Sequence, residues 1–333
     1  MTAAVVKSVQ CITPGGLHRL SYREWGDAAN PRVLICVHGL TRSARDFDVI
    51  AAALCRHYRV ICPDMPGRGE SDWLRNPMEY ALPFYVADMV TLIARLDVPT
   101  VHWLGTSMGG LIGMALAALP QTPISRLVLN EAGALVSGVS LRRIASYLGQ
   151  WPAMPDLAAA EAYVRRVCAP FGPHSDAQWR ALTEAVVKPL EGSGSGAGPG
   201  WRMHYDPAIA LPFHAGAGLV AGNRAASDAS SGAASSTVSI TASSTASSAV
   251  LPEPALADVD LWPLWDAVRC PSLLLRGAES DLLGADTARA MTRRGPRNPP
   301  LQLVELPGIG HAPSLMQPEQ VALVREFLLA DVA

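Results

Sequence analysis

Two periodicities alternate along this chain. Short apolar runs rich in β-branched residues are followed by longer stretches with one apolar face, which is the mark of βαβ units and a mostly parallel sheet. Residues 18–25 alternate in polarity as an early strand does. Val33, Leu34, Ile35 and Val37 make residues 32–37 a continuous apolar run, the pattern of a central strand covered on both faces. Residues 47–57 read as a helix, 59–62 as the next strand, and Pro63 ends it. Val86, Met89, Val90, Ile93 and Leu96 recur at helical spacing and predict a helix over 80–96. Strands follow at 100–104 and 124–129.

The pattern changes at about residue 133 and does not return to regular alternation until about 260. The intervening segment is helix-like and punctuated by proline. Residues 191–200 are almost all glycine and serine, and residues 215–250 are dominated by Ala, Ser, Gly and Thr. Such composition buries too little apolar surface to offset the entropy of ordering, so a disordered loop is expected at about 215–250. After it come a short helix at 264–268, a buried strand at 272–275, a helix at 285–294, a strand at 301–306 and a terminal amphipathic helix at 318–329. The expected organisation is a core split in sequence, 1–132 and 258–333, around a mainly helical insertion at 133–257.

Composition narrows the function classes. The 333 residues are 49% hydrophobic and 17% charged, with a formal net charge of −2, which fits a globular protein with a large core. No stripe of Lys and Arg suggests a nucleic-acid partner. The apolar stretch 103–119 is short and interrupted by glycine, so a buried strand and helix are expected there, not a membrane span. Residues 1–20 lack the cationic start and apolar core of an export signal. The six cysteines (Cys11, Cys36, Cys55, Cys62, Cys168 and Cys270) are scattered, suggesting neither a disulfide framework nor a zinc site. A reducing, cytoplasmic setting is the default expectation.

Chemistry enters at Gly105-Thr106-Ser107-Met108-Gly109, set between a strand-like run and a helix-like one. Glycines on both sides of a serine describe a sharp strand-to-helix turn that exposes the serine above the first amides of a helix. A serine hydroxyl is a weak nucleophile and needs a base, itself held by an acid. His311, in Gly310-His311-Ala312-Pro313 after the last predicted strand, is the candidate base. Asp281, after the preceding strand, is the candidate acid. Parallel strands deliver all three to one sheet edge, where open α/β sheets bind ligands. The loop at His38-Gly39-Leu40 follows a central strand, and the amides of Leu40 and Met108 are the candidate oxyanion donors. His38 itself reads as a structural residue of that loop.

Taken together, His38-Gly39, Asp64-Met65-Pro66-Gly67-Arg68-Gly69-Glu70-Ser71, Gly105 to Gly110, Gly277 to Asp281 and Gly310-His311 resemble the α/β-hydrolase fold family, in its order and spacing. The resemblance covers nearly the whole chain outside the serine-rich loop. It implies an α/β fold with a mostly parallel eight-stranded sheet flanked by helices, a helical cap and no cofactor. It also implies Ser107 as nucleophile, His311 as base and Asp281 as acid, with Asp64 and Arg68 structural. Some members carry the acid after the strand preceding the cap, where this chain has Asn130-Glu131; Asp281 is favoured because its loop matches more fully, and Glu131 is the alternative, otherwise a cap-hinge residue.

The expected activity is a serine hydrolase acting on a small to medium carboxylic ester or lactone, with a small-molecule substrate and neither nucleic acid nor membrane as partner. A carbon–carbon bond hydrolase of ring-cleavage products would use the same triad. A non-catalytic protein that captures a ligand in the same pocket belongs to a different class; reaction of Ser107 with a fluorophosphonate separates it from the enzymes.

Overall fold

The buried apolar runs do form the centre of a sheet. In the computed structural model, which describes residues 3–190, 200–215, 257–294 and 301–330, eight strands form one sheet. The chain begins with β1 (Val5–Thr13) and β2 (Gly16–Trp25), an antiparallel hairpin at one edge. There follow β3 (Val33–Val37), α1 (Asp48–Leu54), β4 (Arg59–Pro63), α2 (Leu82–Leu96), β5 (Val101–Thr106), α3 (Met108–Ala117) and β6 (Ile124–Asn130). The inserted segment carries β7 (Leu135–Val136), α4 (Gly138–Tyr147), α5 (Leu157–Val167), α6 (Asp176–Glu184), β8 (Val187–Pro189), β9 (Trp201–Met203) and α7 (Leu211–His214). The core resumes with β10 (Val259–Asp260), α8 (Trp262–Ala267), β11 (Ser272–Gly277), α9 (Ala285–Arg293), β12 (Gln302–Leu306) and α10 (Pro318–Leu329).

The sheet order is β1-β2-β4-β3-β5-β6-β11-β12, antiparallel through β2–β4 and parallel from β4 onward. β3 and β11 are buried at every position, as covered central strands must be. β6 pairs with β11 directly, so the two halves of the split core are neighbours in the sheet despite the insertion between them. β1 was not anticipated: its outward residues Val5, Val6 and Ile12 are exposed and apolar, which blurs the alternation that marks an edge strand. The insertion is not purely helical either, since β8 pairs with β9 and β7 with β10. These ladders span two or three residues and leave no periodic trace. Most of the Ala/Ser-rich stretch, and residues 191–199 of the Gly/Ser run, lie outside the described residues. Among the described residues no helix is long and apolar enough to cross a membrane.

The insertion rests on the loops leaving β3 and β4. Ser43 Oγ donates to Ala185 O at 2.7 Å, Arg45 to Glu184 O at 2.8 Å, and the Asp206 amide to Gly67 O at 2.7 Å. Tyr80 Oη donates to Asp206 Oδ2 at 2.6 Å, a buried contact. The layer above the sheet edge is therefore fixed through polar anchors to the loops that surround the serine turn.

That turn needs its glycines for space. A Cβ on Gly105 would lie 2.2 Å from Gly109 O, and one on Gly109 would lie 2.0 Å from Val37 O. Trp103, fully buried, donates its indole N–H to Gly109 O at 3.0 Å and covers Gly113. Because the obstructing atoms at Gly105 are backbone, no rotamer change relieves the clash. Gly105→Ala is expected to cost about 2 kcal/mol or more, in the range of overpacked cores. Urea unfolding measures this, and an unchanged midpoint would show that β5 and α3 are less tightly apposed than described.

Candidate active site

Ser107 sits between β5 and α3 with φ 51° and ψ −115°, a left-handed conformation that a non-glycine residue rarely adopts. Such strain costs about 1–3 kcal/mol and persists only where the surroundings over-determine it. Here the Ser107 amide donates to Asn130 O at 2.8 Å, while the Ser107 carbonyl accepts from Gly110 and Leu111. The result is a hydroxyl aimed away from the sheet. Its Oγ lies 3.0 Å from His311 Nε2, across 204 residues of sequence.

His311 Nδ1 lies 3.1 Å from Glu131 Oε2. Glu131 is fully buried and also accepts from the Gly277 amide at 2.5 Å and from Ser280 Oγ at 2.6 Å. Its own amide donates to Leu275 O at 2.9 Å, and its φ of 58° is a second left-handed, non-glycine conformation. An acceptor-only carboxylate facing Nδ1 calls for a proton there, which leaves Nε2 free to accept from Ser107.

Asp281, the acid favoured from sequence, is not brought to His311. Its side chain is 52% exposed and paired with Arg143 of α4, at 2.6 Å from Nε and 3.0 Å from Nη2. The turn after β11 explains this. Ser280 N donates to Gly277 O, and Ser280 Oγ turns inward to Glu131 while accepting from the amides of Leu282 and Leu283. The residue of this loop that reaches Glu131 is thus Ser280, and Asp281 faces outward. Glu131, the alternative acid, occupies the position beside the imidazole.

The loop after β3 is braced from below. The Met65 amide donates to His38 Nε2 at 2.9 Å, so the His38 proton is on Nδ1 and is donated to Gly39 O at 2.7 Å. Burial pushes the His38 imidazole down to about 3, keeping it neutral in that role. Arg68, fully buried, donates to Leu40 O at 2.7 Å and Pro66 O at 2.6 Å, and its guanidinium lies over the rings of Tyr80 and Tyr85. It also reaches Met108 Sδ at 3.6 Å, so a single cation touches both residues expected to supply oxyanion amides. Met108 is the first residue of α3, so its amide has no acceptor within that helix. Asp64 accepts from the amides of Ala44 and Glu70, and burial raises its carboxyl to about 6. His38, Asp64 and Arg68 hold the loops in shape.

Two chambers meet at Ser107. One is almost wholly apolar, lined by Leu111, Ala132, Leu141, Ile144, Phe213 and Leu282 among others. The other is mixed and includes His311, Arg42, Asp46, Arg143 and Ser314. Arg42 and Asp46 form a close pair, at 2.8 and 2.7 Å, on the chamber wall. His174 bonds Gly172 O and Ser314 Oγ and lies tilted against Trp179 with ring centres 4.9 Å apart, while Trp151 donates to Met203 O. These aromatic side chains pack the insertion. Sequence reading passed over Arg143 and Ser280; a helix-borne arginine and a loop serine carry no motif that would single them out.

The sequence profile described as the alpha/beta hydrolase fold matches residues 32–316. The 3-hydroxybutyrate-oligomer hydrolase of Cupriavidus necator is 44% identical over 320 residues, 96% of each chain. A crystallised α/β hydrolase from Novosphingobium aromaticivorans is 34% identical, with a TM-score of 0.74 over 98% of this chain and 99% of its own. The structure of an E-2-(acetamidomethylene)succinate hydrolase, 21% identical, shares the fold with a TM-score of 0.72 over 98% of this chain and all of its own. With its sheet order, its strained serine turn and these likenesses, the chain belongs to the α/β-hydrolase fold family.

Proposed function

We propose that the protein is a serine esterase with Ser107, His311 and Glu131 as its triad. The observation that carries this reading is the unbroken contact from Ser107 Oγ to His311 Nε2 and from His311 Nδ1 to Glu131. In the proposed cycle Ser107 Oγ attacks the ester carbonyl carbon as its proton passes to His311 Nε2. Glu131 holds the imidazole orientation and stabilises the imidazolium. The carbonyl oxygen, now an oxyanion, is met by the amides of Leu40 and Met108. The tetrahedral adduct collapses, the C–O bond to the alcohol breaks, and the departing oxygen takes the proton from His311. Water, deprotonated by the same imidazole, attacks the acyl-enzyme and releases the acid, restoring Ser107.

The substrate class follows from the likeness to the Cupriavidus necator enzyme, which spans nearly the whole of both chains. We infer that short linear oligoesters of 3-hydroxybutyrate are substrates. The apolar chamber suits the methyl-bearing acyl unit, and a second chamber on the His311 side suits the departing hydroxyacid.

Release of 3-hydroxybutyrate from its linear dimer and trimer is the expected outcome in a chromatographic assay, with Ser107→Ala abolishing it. A protein that turns over p-nitrophenyl butyrate but not these oligomers would overturn the substrate assignment. Removing the negative charge beside the imidazole costs about 10⁴ in turnover in enzymes of this design. Glu131→Gln is therefore expected to lower kcat on p-nitrophenyl butyrate by about 10³–10⁴ with little change in KM. Asp281→Asn should cause a much smaller loss; the reverse ranking would return the acid's role to Asp281.

A further inference from the structure

The leaving oxygen of an ester must lie where His311 Nε2 can protonate it. His311 lines the mixed chamber and not the apolar one, so the alcohol portion of the substrate belongs in the mixed chamber. The charged residues on that wall are Arg42, Asp46 and Arg143. Arg42 and Asp46 neutralise each other through two short contacts, and Arg42 Nη2 is further held by Leu182 O. Arg143 differs, because its partner Asp281 stands outside the chamber lining and is half exposed. Arg143 Nη2 donates to Asp281 Oδ1 at 3.0 Å and its Nε lies 2.6 Å from Oδ2 as an ion-pair contact without a hydrogen bond, while among the described residues its Nη1 has no hydrogen-bond partner. The chamber that receives the alcohol therefore presents one guanidinium whose carboxylate partner lies outside the lining, the lining carboxylate Asp46 being taken up by Arg42.

We propose that Arg143 forms a carboxylate subsite for the departing alcohol, so that the protein selects esters whose alcohol portion ends in a free carboxylate. This rests on the serine-esterase reading above. Guanidinium donors lie in a fixed fork that matches a carboxylate, and the contact is charge-assisted. In an ester of a 3-hydroxyacid the carboxylate carbon is three bonds from the ester oxygen, which puts both groups within one chamber. Asp281 holds the arginine from behind and is a positioning residue. The consequence is cleavage directed at the terminal unit that bears the free carboxylate.

The test compares the linear 3-hydroxybutyrate dimer with its terminal carboxamide, following the internal ester bond of each by chromatography. The wild type is expected to favour the acid by about tenfold or more in kcat/KM, the scale of one charge-assisted contact at a partly exposed site. Added salt should erode that preference. Arg143→Gln is expected to bring the acid-to-amide ratio close to one, chiefly through KM, and Arg143→Lys to keep part of it. Equal rates on acid and amide in the wild type would overturn the subsite, as would Arg143→Gln lowering both by one factor. The wild-type ratio needs no variant, so poor folding of Arg143→Gln leaves the comparison intact. Turnover of p-nitrophenyl butyrate with no preference between the dimers removes the subsite alone, whereas inertness toward all three removes the esterase reading with it.

Discussion

The contact between His311 and Glu131 organises everything around the serine. A buried carboxylate is costly unless its lone pairs are occupied. Glu131 meets that demand with the Gly277 amide, Ser280 Oγ and the histidine ring. Those donors come from the end of β11, the turn after it and the loop after β12, while Glu131 itself caps β6. The Ser107 amide is tied to Asn130 O, one residue before Glu131. Serine and carboxylate are thus separated by a distance set by the parallel register of β5, β6 and β11. A slip of one residue in any of these strands would reverse the faces of its side chains and take the imidazole out of reach of one partner.

The insertion adds a roof to this edge without supplying the three proposed reacting groups. Its anchors fall on the loops after β3 and β4, through Ser43, Arg45 and Gly67, and these loops include the His38-Gly39-Leu40 turn and Arg68. α4 contributes Leu141 and Ile144 to the apolar chamber and Arg143 to the mixed one, so a single helix borders both chambers. In the proposed reading, substrate choice is separable from the chemistry: the sheet edge carries Ser107 and His311, and the roof carries most of the chamber walls.

The fold is legible in the sequence to the extent that burial imposes a period. β3, β5, β6 and β11 announce themselves because they are covered on both faces and flanked by glycine or proline. β1 does not, because an edge strand with exposed Val5, Val6 and Ile12 lacks a clean alternation. The serine turn is legible because the close approach of Gly105 to Gly109 admits no side chain, and that is a constraint on residue identity. The carboxylate is harder to read. Asp281 and Glu131 both follow core strands at the same sheet edge, and the choice between them depends on which way one tight turn points Ser280. Hydrogen bonds to Leu282 and Leu283 decide that direction, and such bonds leave no periodic signal.

Reaction of the folded protein with a fluorophosphonate, followed by mass spectrometry of its peptides, tests the central claim most directly. A single adduct on the peptide carrying Ser107, formed slowly or not at all once His311 is replaced by alanine, is the predicted result. A folded protein whose Ser107 stays unmodified, or an adduct that forms at the same rate without the imidazole, would contradict it.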